Sequence, residues 1–232
     1  MFDIKIFYDG VNLEFIKQNH HLIDGVTTNP TLMKKAGIES FEIFSKNLIE
    51  ISPDKPLSLE VFSDDLIEMK KQALKINSWG DNLYIKIPIT NSEGTSTKDL
   101  IKDLLADGVK LNITAIFTLE QVKEVSDCFV NYPENILSIF CGRIADTGVN
   151  PIDKVISISK YLQESNISTN LLWASARQAY NVVEAIESNC QIITLGEDLI
   201  NKLSNFNKDL TEFSLDTVKM FKNDAETAGY KI

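Results

Sequence analysis

Eight short apolar runs, each typical of a buried β-strand, alternate with segments of helical periodicity along this chain. The runs are IKIFYD, DGVTTN, PLSLEVF, LYIKIPI, KLNITAIF, ILSIFCG, NLLWAS and QIITLG. Strands separated by helices pair in parallel, because each helix returns the chain to the edge where the previous strand began. Eight such units within 232 residues predict an α/β fold, a (β/α)8 TIM barrel, as a single domain over 1–232.

A doubly wound open sheet has the same alternation of strands and helices and is the alternative fold. Such sheets commonly carry a glycine-rich phosphate loop after the first strand. No glycine-rich loop of either common type follows IKIFYD. The sequence therefore favours the barrel.

Apolar residues recur at helical spacing between the runs, and Asp64 and Asp65 form a candidate cap before one such stripe. The stripes are Leu66, Met69, Ala73 and Ile76; Leu100, Ile101, Leu104 and Leu105; Leu119, Val122 and Phe129, with Ser126 in line; and Ile152, Val155, Ile156 and Leu162. We expect these faces to pack on the strands.

A C-terminal helix, extra to the barrel, is predicted at 207–228. Leu210, Phe213, Met220 and Phe221 lie on one of its faces. An exposed apolar face of this kind suits docking against the barrel or against a neighbouring subunit.

The charge of the chain limits its partners. A formal net charge of -10 argues against binding to nucleic acid or to an anionic membrane, since both need clustered Lys and Arg. The N-terminal stretch MFDIKIFYDG lacks the features of a signal peptide, and no run of about 18 apolar residues occurs. We expect a cytoplasmic protein without a membrane partner.

Cysteine and histidine give no pattern typical of a metal site. Cys128, Cys141 and Cys190 are odd in number and widely spaced in apolar contexts, which favours reduced packing residues over disulfides or metal ligands. His20 and His21 are neighbours in a polar segment. We therefore expect no metal.

Lys86 is a charge inside the apolar run LYIKIPI, and lysine is almost never fully buried without a partner. Alternate side chains of a strand face opposite sides, so Ile85 and Ile87 face the helices while Lys86 faces the barrel axis. The same alternation places further polar residues on the inner side, namely Asp9, Thr27, Asn29, Glu60, Asn112 and Thr114. Polar groups converging from five strands indicate a site, because barrel interiors are normally apolar.

An inward lysine has a specific chemistry. Desolvation disfavours its ammonium form, and the free amine attacks a carbonyl to give a Schiff base. The Schiff base withdraws electrons, so that a neighbouring carbon–carbon bond breaks or forms, and Asp9 and Glu60 are candidate acid and base groups. The alternative is a purely structural ion pair of Lys86 with one of these carboxylates, with strand-end hydrogen bonding for the other polar residues.

Arg143, Ser175 and Arg177 follow the sixth and seventh runs and are candidates for phosphate binding. Arginine and a hydroxyl suit a phosphate monoester, and loops after the last strands of such barrels often bind phosphate. The alternative for each arginine is a surface ion pair.

These residues resemble a known family, the transaldolases, and within it the short subfamily that includes fructose-6-phosphate aldolase. The resemblance spans nearly the whole chain and rests on the motifs YDG, GVTTNP, LEV, IKIP, LNITAIF, FCGRI and ASAR. It implies a transferase of the non-oxidative pentose phosphate pathway without a cofactor, acting on small sugar phosphates and assembled as a homo-oligomer, a pentamer or decamer.

The resemblance also assigns roles. Lys86 forms the Schiff base with the ketone of fructose 6-phosphate or sedoheptulose 7-phosphate, Asp9 takes the C4 hydroxyl proton, and Glu60 and Thr114 position a water. The remaining residues bind substrate: Thr27, Asn29 and Asn112 at the dihydroxyacetone unit, Arg143, Ser175 and Arg177 at the phosphate, and Phe140 as a further substrate-binding residue.

Two positions separate transaldolase from aldolase within this subfamily. The aldolase branch has glutamine in place of the strand-three acid and tyrosine before the arginine, whereas this chain has Glu60 and Phe140. The resemblance therefore favours transaldolase. Fructose-6-phosphate aldolase remains an alternative, and so does a catalytically idle barrel that only binds sugar phosphates.

Overall fold

The computed structural model describes residues 3–231 and contains a closed barrel of eight parallel strands in chain order. The strands are β1 (Lys5–Asp9), β2 (Gly25–Thr27), β3 (Leu57–Glu60), β4 (Leu83–Pro88), β5 (Leu111–Ile116), β6 (Ile136–Ile139), β7 (Asn170–Trp173) and β8 (Ile192–Leu195). The last strand pairs with the first, which closes the sheet. The predicted (β/α)8 barrel is confirmed, and each of the eight apolar runs contains one strand.

Helices connect the strands and surround the barrel. They are α1 (Leu13–Gln18), α2 (Pro30–Lys35), α3 (Phe41–Ile51), α4 (Leu66–Asn77), α5 (Lys98–Ala106), α6 (Leu119–Ser126), α7 (Cys141–Asp146), α8 (Pro151–Glu164), α9 (Asn181–Glu187), α10 (Glu197–Lys202) and α11 (Leu210–Ala228). Within residues 3–231, none of the helices is long and apolar enough to cross a bilayer.

The predicted apolar faces pack largely as expected, with two corrections. Asp65 alone caps α4, because its side chain accepts the Glu68 N–H, whereas the Asp64 carboxylate accepts hydrogen bonds from Ser92. Ile156 was expected in the buried face of α8 but is 40% exposed, and Ile158 is fully buried instead. Four residues separate Ile158 from Leu162, so the two share the face that packs on the barrel.

A small apolar cluster fills the interior of the barrel below the polar residues. It consists of Phe7, Ile136, Leu172, Ala174 and Ile192, with Tyr84 and Phe140 against it. Gly25 is opposite Phe7 in the register of β1 and β2, and a Cβ atom there would lie 2.6 Å from the Phe7 ring. The missing side chain of Gly25 therefore makes room for the ring that fills the barrel axis.

Helix α11 begins at Leu210, three residues later than the predicted bound of 207. The Asp209 carboxylate accepts the N–H groups of Thr211 and Glu212, which fixes the start, and Gly229 ends the helix at a φ of 68°. Its apolar residues are exposed, from 41% for Phe213 to 81% for Leu210. Docking of this helix, on the barrel or on a second subunit, stays a prediction.

All three cysteines are free and buried, as the sequence predicts. Burial raises the pKa of Cys128 to about 11, that of Cys190 to about 12, and that of Cys141 above its ordinary value. We expect a thiol reagent at pH 7 to label the native protein about 10²-fold or more slowly than the denatured chain, because only the thiolate reacts. Mass spectrometry measures the labelling rates of the native and denatured protein, and equal rates would contradict this burial.

Candidate active site

A cavity of about 340 Å³ opens at the carboxyl ends of the strands, the end where barrels of this kind carry their sites. Its size is within the range of small-molecule pockets. Nine of the eleven predicted site residues line it: Asp9, Thr27, Asn29, Glu60, Lys86, Thr114, Phe140, Arg143 and Ser175. Asn112 and Arg177 are not in its wall.

Lys86 faces into this cavity, with Ile85 and Ile87 fully buried on the opposite side of β4. It is opposite Glu60 in the register of β3 and β4, so the two side chains point the same way. The Lys86 Nζ donates to Glu60 Oε2 at 2.9 Å and to the carbonyl oxygen of Thr28 at 2.8 Å. Lys86 is only 6% exposed, and its amine is held by these two hydrogen bonds at the floor of the cavity.

Asp9 lies at the end of β1 and shares the cavity with Lys86. Burial raises the pKa of its carboxyl group and the charge of Glu60 adds to the rise, while the positive charge of Lys86 and a hydrogen bond from Thr27 oppose it. The Thr27 hydroxyl donates to Asp9 Oδ1 at 3.1 Å. Asp9 therefore holds a proton more tightly than an exposed aspartate does, which suits a group that accepts and returns protons.

The two polar residues of β5 occupy different layers. The Oγ1 atom of Thr114 is buried and has no hydrogen-bond partner within residues 3–231, although the residue lines the cavity. Asn112 donates to Ser58 Oγ at 3.0 Å and accepts from Ser138 Oγ at 2.6 Å. Asn112 thus lies behind Ser138, and it is Ser138 that lines the cavity.

Ala115 departs from the strict alternation predicted for β5. Its φ is 60°, and the pairing of β5 with β6 shifts register between Ile113 and Ile116. Strict alternation along β5 would place Ala115 on the helix side, opposite to Thr114, but both residues line the cavity. A bulge of this kind redirects a side chain at the end of a strand.

The start of α7, after β6, and the turn after β7 form the side of the cavity that carries Arg143. Arg143 and Ser175 both line it, and the Arg143 guanidinium lies 5.5 Å from the ring centroid of Phe140. The two segments touch at Gly142 of α7, where a Cβ atom would lie 1.6 Å from the Ser175 carbonyl oxygen. Only glycine fits there, and this contact fixes Ser175, whose φ is 64°.

Arg177 forms the surface ion pair that was its alternative interpretation. Its guanidinium donates to the Asp146 carboxylate, with Nη2 2.5 Å from Oδ2, and its side chain is 50% exposed. In this structure the two arginines therefore do not converge, and Arg143 is the one that faces the cavity.

Two polar strand residues in the wall of the cavity are not among the predicted site residues. Ser138 and Thr194 occupy inward positions of β6 and β8 and line the cavity. The same alternation of side chains, applied to the runs ILSIFCG and QIITLG, would have found both.

No cluster of three or more His, Cys, Asp or Glu side chains capable of holding a metal ion occurs within residues 3–231. His20 lies near the surface carboxylate of Asp54, with Nε2 3.3 Å from Oδ1.

Comparison with known proteins relates most of the chain to one family. A family model described as Transaldolase/Fructose-6-phosphate aldolase matches residues 6–232. A probable transaldolase of Methanococcus maripaludis strain C7 is 32% identical over 211 residues, which cover 90% of this chain and 93% of the relative. A probable transaldolase of Streptococcus equi subsp. zooepidemicus is 31% identical over 203 residues, 87% and 90% of the two chains.

Two solved structures show the same fold at low sequence identity. A thiamine phosphate pyrophosphorylase from Pyrococcus furiosus aligns with a TM-score of 0.56 at 12% identity, over 86% of this chain and 91% of the other. A putative isomerase from Sinorhizobium meliloti aligns with a TM-score of 0.59 at 9% identity, over 85% of this chain and 52% of the other. At these identities the likeness concerns the barrel alone.

Proposed function

Because the chain belongs to the transaldolase/fructose-6-phosphate aldolase family, we propose that it is a transaldolase of the non-oxidative pentose phosphate pathway. It transfers a dihydroxyacetone unit from fructose 6-phosphate or sedoheptulose 7-phosphate to an aldose phosphate. The observation that carries the proposal is the Lys86 amine, buried at the floor of the cavity beside Glu60 and close to Asp9.

The first step joins the ketose to Lys86. The amine passes a proton to Glu60 through their hydrogen bond, and the free Nζ adds to the C2 carbonyl carbon. The resulting carbinolamine loses water to give a protonated Schiff base. Thr114, whose hydroxyl has no partner in the described chain, and Glu60 position the water that carries protons in this step.

The second step breaks the bond between C3 and C4. Asp9 accepts the proton of the C4 hydroxyl, the C4 oxygen forms a carbonyl, and the bonding electrons move through the Schiff base to the Lys86 nitrogen. The aldose phosphate leaves and an enamine remains. An incoming aldehyde such as erythrose 4-phosphate or glyceraldehyde 3-phosphate reverses these events, and hydrolysis then frees Lys86.

Two groups of cavity residues bind different parts of the substrate. Thr27, Asn29 and Ser138 face the dihydroxyacetone unit, while Asn112 acts on it through the Ser138 hydroxyl, which donates to Asn112 Oδ1. The phosphate lies beside the segments that follow β6 and β7. Arg143 and Ser175 line that side of the cavity, and an arginine with a hydroxyl matches a phosphate monoester.

Transaldolase is favoured over the aldolase alternative by Phe140 and Glu60. Phe140 lines the cavity but carries no hydroxyl that could deliver a proton or activate a water at the enamine carbon. Glu60 is engaged with Lys86. We infer that the enamine persists until an aldehyde binds.

One experiment tests the proposal against both alternatives. The protein is incubated with fructose 6-phosphate, reduced with borohydride, and weighed by mass spectrometry with peptide mapping. A three-carbon adduct on Lys86 is expected, and no adduct would support the idle barrel. Coupled assays with and without erythrose 4-phosphate then separate the enzymes, because a transaldolase releases glyceraldehyde 3-phosphate continuously only when the acceptor is present.

The two arginines are expected to contribute unequally to phosphate binding. Charge-assisted hydrogen bonds are worth about 1.5–3 kcal/mol, so Arg143→Ala should raise KM for fructose 6-phosphate about 10- to 100-fold. Arg177→Ala should raise it less, because that guanidinium is paired with Asp146 outside the cavity. Transfer from free dihydroxyacetone to an unphosphorylated aldehyde is the control, because neither partner then carries a phosphate. An equal loss with this unphosphorylated donor would remove Arg143 from the phosphate site.

A further inference from the structure

We propose that Thr194, on β8, is a positioning residue that holds the hydroxyl of Thr27 on Asp9. The three side chains form one hydrogen-bonded chain across β8, β2 and β1. The proposal rests on the proposed role of Asp9 as the base at the C4 hydroxyl, and it adds a residue from a strand that the mechanism otherwise does not use.

The hydroxyl protons fix the direction of this chain. The Thr27 hydroxyl donates to Asp9 Oδ1 at 3.1 Å, and its oxygen lies 2.6 Å from the Thr194 oxygen. A threonine hydroxyl has one proton and accepts at its lone pairs. Because Thr27 gives its proton to Asp9, Thr194 must be the donor in the shorter contact.

The barrel holds both threonines rigidly around β1. Asp9 is opposite Thr27 in the register of β1 with β2, and Phe7 is opposite Thr194 in the register of β1 with β8. Thr27 is 3% and Thr194 is 4% exposed. Bulk water therefore competes little for these hydroxyls, and the fold determines that Thr27 accepts its hydrogen bond from Thr194.

Charged and titratable groups surround Asp9, so its ionisation is sensitive to the hydrogen bond that it receives from Thr27. Lys86 on β4 and Glu60 on β3 face it, and Tyr8, adjacent on β1, is influenced in turn by Glu197 at the start of α10. Burial disfavours the carboxylate, and Thr27 supplies a hydrogen bond that favours it. A donor behind Thr27 polarises its O–H bond and strengthens that support.

The first arm of the test is the pH profile of kcat/KM. Thr194→Val removes the donor while keeping the shape of the side chain, so the carboxylate of Asp9 should form less readily. We expect the loss of kcat/KM to be about 2- to 10-fold larger at acidic than at alkaline pH, as one hydrogen bond allows. Thr194→Ser should restore the profile. A changed KM with an unchanged profile would mean that Thr194 binds substrate directly, and would overturn the proposal.

The second arm needs no activity, so it separates this proposal from the proposed function. Because the pKa of Asp9 is raised in the folded state, the stability linked to this group is present at acidic pH and is lost as pH rises through the folded pKa. In Thr194→Val that loss should be larger, so its Tm deficit should grow from acidic to neutral pH. In the Asp9→Asn background the deficit should be the same at every pH.

Thr97→Val is the matched control for this arm. Thr97 is a buried threonine whose hydroxyl donates to the Pro88 and Ile89 carbonyl oxygens, and its removal should lower Tm equally at all pH values. Thr194→Ala, which removes the same hydroxyl, must shift in the same direction as Thr194→Val. A Tm deficit of either Thr194 variant that does not depend on pH, in the presence of Asp9, would overturn the proposal even if the protein is an active transaldolase.

Discussion

Replacement of Lys86 by methionine is expected to lower turnover by on the order of 10⁴-fold or more and to abolish borohydride trapping. Methionine has a similar length but no nitrogen, so neither the carbinolamine nor the Schiff base forms. Lys86→Arg should be equally inactive, because a guanidinium is always protonated and is not a nucleophile. Retained turnover in either variant would refute the covalent mechanism.

The stability of the Lys86→Met protein has to be controlled, because Lys86 is the ion-pair partner of Glu60. Removing one member of a buried pair leaves the other charge uncompensated. The double variant Lys86→Met/Glu60→Gln should recover the melting temperature but not the activity. Lys110→Met is the matched control, since Lys110 lies outside the cavity with its ammonium 5.8 Å from the ring centroid of Tyr84. It should keep both the adduct and the turnover.

Replacement of Asp9 by asparagine is expected to lower turnover about 10²- to 10⁴-fold while leaving Schiff-base formation intact. Asparagine cannot accept the C4 proton, but the amine of Lys86 and the carboxylate of Glu60 remain. The mass of the trapped adduct distinguishes the steps. With fructose 6-phosphate, Asp9→Asn should carry the whole six-carbon phosphate on Lys86, whereas the unaltered protein should carry three carbons.

The same variant should be more stable than the unaltered protein at neutral pH. Burial outweighs the attraction of Lys86 and raises the folded-state pKa of Asp9, so ionisation of Asp9 destabilises the fold as pH rises through that pKa. The asparagine amide does not ionise, and the difference in Tm should vanish at low pH. Asp216→Asn on exposed α11 is the control, and a gain in that variant as well would point to net charge rather than burial.

Much of the fold and of the site follows from two periodicities in the sequence. Parallel strands under helices are apolar on the side that faces the helices. Ile85 and Ile87 therefore indicate a strand and its outer face, and the side chain of Lys86 between them is predicted to point inward. The same reasoning correctly places Asp9 and Glu60 in the cavity. Alternation works here because every strand is short and paired on both sides.

What escaped prediction depends on contacts between distant segments. The bulge at Ala115 reflects the pairing of β5 with β6, which no local pattern encodes. Asn112 faces the inside of the barrel, as predicted, but it does not reach the cavity, because Ser138 from another strand covers it. Arg177 follows the expected strand, yet the carboxylate of Asp146 lies nearer to it than the cavity does.

The plugged axis of the barrel has a consequence for the order of events. Phe7 fills the space that Gly25 leaves open, and Ile136, Leu172 and Ile192 pack with it, so the cavity ends above this layer. Within residues 3–231, this layer closes the axis of the barrel behind the cavity. Under the proposed mechanism, the departing aldose and the incoming aldehyde share the opening at the carboxyl ends of the strands, so we expect double-displacement kinetics and mutual competition between the two aldehydes.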